Sequence, residues 1–221
     1  MERDRWQRWS PLAGVAFTVL FLAALGVSGS GPGDTPDEVA EWYADEGNRG
    51  AAFLVFFLLA GAALSFLWFL GVLRSVLVRA EGDPARWTAV GFAAGVASAT
   101  LLLASASLYV APAATAGDES FPFEASTAET FSNAGFALLV SSTMAGALLV
   151  LATSIVAHRT GLLPGWLALG GFVVSAVLLF AIFFLPLFVW LAWVLAVSIV
   201  LIVRTARVAA WRSGAAGYRG S

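Results

Sequence analysis

Residues 166–203 read WLALGGFVVSAVLLFAIFFLPLFVWLAWVLAVSIVLIV, without a single charged side chain. As one α-helix this stretch would be about 57 Å long at 1.5 Å per residue, almost twice the roughly 30 Å of bilayer hydrocarbon. It must therefore turn back on itself. Pro186 marks the expected place, because proline removes an N–H donor and disfavours helix in the residue before it. The stretch then reads as two spans, about 166–185 and 187–203, joined by a tight apolar turn at Phe184 to Leu187.

Working outward, four more apolar runs appear at about 11–29, 51–73, 88–110 and 131–157. The chain is 60% hydrophobic and only 12% charged, about half the charge of an ordinary soluble domain. Its mean hydropathy is +0.86. These features predict an all-α polytopic membrane bundle of six transmembrane helices, one membrane domain over 1–221 with a flexible basic tail over 204–221. The lipid bilayer is then its main partner, in the plasma membrane.

Charge orients the bundle. With the N-terminus in the cytoplasm, Arg3, Arg5, Arg8, Arg74, Arg79, Arg86, Arg159, Arg204, Arg207, Arg212 and Arg219 all fall inside, and only Arg49 falls outside. Four acids, Glu2, Asp4, Glu81 and Asp83, share the inside. The other ten lie outside, from Asp34 to Glu46 and from Asp118 to Glu129. Basic residues are held at the cytoplasmic face in short loops, so both termini are expected there. An unbroken helix over 166–203 would strand four arginines on the wrong side. The first run also fits a signal peptide with a basic Arg3–Arg8 start, although no clear Ala-x-Ala cleavage motif follows it.

Composition narrows the chemistry. There is no cysteine and one histidine, His158, so thiolate chemistry, Cys-ligated metal and paired haem imidazoles are excluded within one chain. All twelve basic residues are arginine, a bias of GC-rich genomes that hints at a bacterium. No ionisable residue falls within an apolar run, which argues against a proton-coupled pump. No cofactor and no nucleic-acid partner is expected. A membrane-protein partner or a second copy of the chain is compatible with the sequence. His158 reads as a C-terminal helix residue facing the negative end of the dipole.

Thr35-Pro36-Asp37-Glu38 is a capping box with proline at the first helical position. A short outer helix should run to about Glu46 and stop at Gly47. Its Val39, Trp42 and Tyr43 share one face, either an interfacial anchor at headgroup level or a lid over the spans. Ser126-Thr127-Ala128-Glu129 repeats the capping pattern and should open the fourth span. The outer acids match no calcium loop, and Asp118 with Glu124 is the pair a membrane enzyme would need. Trp9, Trp87 and Trp166 each open a hairpin at nearly even spacing, which an aromatic belt also explains.

Inside the spans the polar residues are small, among them Ser65, Ser98, Thr100, Ser105, Ser107, Thr153, Ser154 and Ser175. Ser141, Ser142 and Thr143 in the middle of the fourth span form the expected polar pocket. Gly91, Gly95 and Ala99 form a small-residue row suited to close helix packing.

Several segments resemble a family of uncharacterised bacterial six-span membrane proteins. They are Asp34-Thr35-Pro36 with the acidic Trp42-Tyr43 helix, Asn48-Arg49, the run Phe66 to Arg74, and the loop Arg159 to Leu167. The resemblance covers nearly the whole chain and implies six spans, with no established activity, cofactor or catalytic residue. The leading expectation is a non-enzymatic membrane protein. A carrier or channel for a small neutral or amphipathic molecule, lined by Ser141, Ser142 and Thr143, is the alternative, and an enzyme of the outer carboxylates a further one.

Overall fold

In the computed structural model, the described residues are 12–29, 31–33, 35–118, 120 and 122–217, with side chains described through 205. Among them the chain is all-helical, without a strand. The elements are α1 (Leu12–Ser28), α2 (Pro36–Ala44), α3 (Glu46–Glu81), α4 (Arg86–Ala116), α5 (Ala125–Thr160), α6 (Gly165–Leu178), a 3-10 turn (Ala181–Phe183) and α7 (Leu185–Gly217). Arg3, Arg5, Arg8 and Asp34 lie outside the described residues, as do the side chains of Arg207, Arg212 and Arg219.

Four helices are long and apolar enough to cross a membrane: α3, α4, α5 and α7 over Leu185–Thr205. They mark the chain as a membrane-embedded protein. The other two expected spans are shorter apolar helices, α1 with 17 residues and α6 with 14. Large apolar side chains such as Phe57, Leu64 and Val173 point outward from the bundle, as a lipid-facing surface requires.

The expected reversal is present but displaced. Helix α6 stops at Leu178, the 3-10 turn follows, and α7 begins at Leu185. Pro186 therefore sits in the first turn of α7 instead of breaking the chain. A first-turn proline is tolerated because its missing N–H would have had no intrahelical partner. The apolar turn is thus Leu179–Phe184, with Phe184 at a positive φ of 61°. Arg204, near the far end of the α7 span, donates to the Gly161 carbonyl at 3.3 Å. The two helices are therefore antiparallel. Helix α7 continues to Gly217, past the Val203 end expected for the span, so the segment expected as a tail from 204 is helical to that point.

Neighbouring helices pack in order, α3 on α4, α4 on α5, α5 on α6 and α6 on α7. The bundle closes where α1 packs against both α3 and α7. Phe17 of α1, Phe66 of α3 and Trp190 of α7 meet there, with ring centroids 4.8 Å (Phe17–Phe66) and 5.4 Å (each phenyl to Trp190) apart. All three are fully buried.

The helix ends explain much of the loop chemistry. The Thr35 box forms as expected: the Glu38 amide donates to Thr35 Oγ1 and the Thr35 amide donates to Glu38 Oε2. The stop comes at Asp45 and not at Gly47. Asp45 ends α2 and also caps α3, accepting from the Asn48 amide at 2.9 Å, so Gly47 lies inside the first turn of α3. The Ser126 box does not form, because α5 starts at Ala125 with Glu124 as its cap residue and no side-chain cap bond. Ser126 is thereby already helical.

Two charged side chains act as caps across loops. Arg49 donates to the carbonyls of Tyr43 (2.9 Å) and Ala44 (2.8 Å), and Asn48 donates to that of Trp42. Arg49 is therefore a C-terminal cap for α2, satisfying carbonyls that a helix end leaves open. Glu81, last residue of α3, accepts from the amides of Trp87 and Thr88 and from Thr88 Oγ1 at 2.9, 2.8 and 2.6 Å. It supplies the N-terminal cap that Ala85 cannot.

Candidate functional site

Two polar regions lie inside the bundle, both on α5. The first is the α4–α5 seam. Gly91 lets α4 approach α5, since a β-carbon there would sit 3.0 Å from Ala152 Cβ. Gly95, one turn on, faces α3 instead, 2.5 Å from Leu70 Cδ2 by the same measure. At that spacing hydroxyls reach across. Ser142 Oγ donates to the Ser98 carbonyl at 2.8 Å, and the two hydroxyl oxygens lie 3.2 Å apart. With the Ser142 proton on the carbonyl, Ser98 is left to donate to Ser142. Ser105 donates to the Gly135 carbonyl at 2.7 Å. This seam is polar and internally satisfied.

The expected pocket residues are split by helical geometry, which turns successive side chains about 100° apart. Ser142 is in the α4–α5 seam. Thr143 is buried and bonds back to the Leu139 carbonyl at 3.0 Å. Ser141 is exposed and bonds to the Ala137 carbonyl. The three do not line one surface.

The second region is the α5–α6–α7 seam. Thr153 and Ser154 of α5 and Trp190 and Trp193 of α7 are buried to between 0% and 3% exposure. Their polar atoms, Thr153 Oγ1, Ser154 Oγ and both indole Nε1, have no hydrogen-bond partner within the chain. Gly171 of α6 lies between two of them: a β-carbon there would collide with Ser154 Oγ and sit 3.3 Å from Trp193 Nε1. Gly146 of α5 faces Trp190 Nε1 at 3.1 Å by the same measure. The sequence reading included Thr153 and Ser154 only as small polar residues and missed the two tryptophans. Their signal was the spacing, two indoles three residues apart in an uncharged run.

The expected lid packs on protein. Val39 and Tyr43 are buried with Ala113 of α4 and Ala128 of α5, and Trp42 is half-buried beside them. Tyr43 also meets Phe123 at a tilt, with ring centroids 5.3 Å apart. Burial raises the Tyr43 hydroxyl above its ordinary range, against a hydrogen bond with Ser132 that lowers it. Helix α2 therefore packs its aromatic face on the C-terminal end of α4 and the N-terminal end of α5. Asp118 and Glu124 are both exposed, and among the described residues no three potential metal ligands cluster. His158 is exposed in the last turn of α5, edge-on to Phe172.

No known protein family, curated protein or solved structure matches the chain.

Proposed function

We propose that this is a non-enzymatic integral membrane protein with six membrane-crossing helices, the arginine-rich end and both termini in the cytoplasm, and the plasma membrane of a bacterium as its site. It accords with the resemblance to uncharacterised six-span proteins. One observation carries the orientation. Arg74, Arg79, Arg86, Arg159 and Arg204 lie toward the end where α3, α5 and α7 finish, whereas the exposed acids Asp37, Glu41, Asp45, Asp118, Glu124 and Glu129 lie toward the other. Arg49, the one exception, is consumed in capping α2. The short α1 and α6 cover about 26 and 21 Å, and a bilayer accommodates such helices by local thinning.

An enzyme reading gains no support from Asp118 and Glu124, because both side chains are exposed to solvent. A channel through mid-α5 loses its lining once Ser141, Ser142 and Thr143 point three ways. Reporter fusions after Gly82, Gly161 and Gly214 should report cytoplasm, and one after Gly117 the exterior. An exterior signal after Gly214 would remove the six-span reading.

A further inference from the structure

We propose that the α5–α6–α7 seam is a binding site for one uncharged acceptor oxygen, held between Ser154 Oγ and Trp193 Nε1 where Gly171 leaves α6 bare. Ten serine and threonine side chains are buried among the described residues. Eight have partners within the chain, and the two that do not, Thr153 and Ser154, are adjacent. A helical hydroxyl has a ready partner in the carbonyl one turn back, the one used by Thr18, Thr143 and Ser198. Ser154 Oγ forgoes it and reaches into the space beside Gly171. Ser154 Oγ and Trp193 Nε1 both lie beside the position that a β-carbon on Gly171 would take, which puts the two atoms no more than about 5 Å apart, close enough for one oxygen to contact both.

The donor set specifies the guest. An indole N–H can only donate, so it needs an acceptor. Serine can donate to the same atom or receive from it. The facing stretches, 139–157 of α5, 165–178 of α6 and 185–203 of α7, contain no charged residue. A charged guest would therefore be buried without a counter-charge, at prohibitive cost. A neutral oxygen fits, from water or from the carbonyl of a small apolar molecule.

The test uses the full chain in lipid nanodiscs with 15N-labelled indoles, the Trp190 and Trp193 signals being assigned from Trp190→Phe and Trp193→Phe. One arm adds 2-undecanone, with undecane as the control lacking a carbonyl. The other measures magnetisation transfer from water to the indole protons. A saturable Trp193 shift with ketone and none with alkane supports an apolar carbonyl guest. Ser154→Ala should then weaken the ketone about fivefold while leaving the Trp42 signal in the outer cap unmoved. Transfer from a long-lived water without ketone response supports water as the guest, and Ser154→Ala should abolish it. A Trp193 signal insensitive to both probes, whether as a free indole or bonded directly to Ser154, overturns the proposal.

Discussion

Helix α5 presents hydroxyls to two neighbours and treats them in opposite ways. Toward α4, Ser142 meets Ser98, Gly135 offers its carbonyl to Ser105, and each donor on that seam ends on an acceptor. Toward α6 and α7, Ser154 lies with the Trp193 indole beside Gly171, and Thr153, Ser154, Trp190 and Trp193 all keep a buried polar atom without a partner. Both seams depend on glycine for close approach. What separates them is the acceptor inventory. In the first seam every hydroxyl has found a carbonyl or a hydroxyl, whereas in the second two hydroxyls and two indole N–H groups are buried without any partner. A satisfied polar seam joins helices, and an open one is where a guest or rearrangement would act.

The largest effect that bears on this difference is expected at Trp190. Trp190→Ala removes the ring packed between Phe17 and Phe66 and should cost about 3–5 kcal/mol in unfolding from mixed detergent micelles. Trp190→Phe keeps an aromatic ring there and deletes the unpartnered N–H, so its loss should stay under about 2 kcal/mol. Equal losses would show that the indole N–H is well satisfied. Next comes Ser142→Ala, which strips the Ser98 carbonyl of its donor and should cost about 1 kcal/mol. The smallest effect is expected from Ser154→Ala in the absence of ketone, under about 0.5 kcal/mol. A Ser154→Ala loss matching that of Ser142→Ala would erase the distinction between the seams.

Local signals in the chain proved readable where one turn of backbone decides the outcome. The Thr35 box formed as written because its two bonds join residues three apart. The Ser126 box used the same letters and failed. Its helix started one residue earlier, at Ala125, leaving Ser126 no cap position to occupy. The reversal within 166–203 was legible from length and charge, but its location was not. Proline suits a helix start as well as a break, and here it stands in the first turn of α7. Among the candidate site residues, Ser141 to Thr143 looked like a cluster because they adjoin in sequence, and helical rotation dispersed them. The open seam joins three consecutive helices: the two indoles three residues apart are visible in the uncharged run of α7, but which hydroxyl lies beside them depends on packing between helices.

The unequal helices give the molecule a tall flank and a low one. Helices α3, α4 and α5 run 36, 31 and 36 residues, about 47–54 Å, and carry α2 as a roof at one end. Beside them the α6–α7 hairpin ends in exposed Phe180, Ile182, Phe183 and Leu185, an oily heel with no polar collar. Lipids following this outline must dip along one side only. A bundle of this outline is expected to partition more strongly into thin bilayers than one of even height, which reconstitution into lipids of graded chain length would measure.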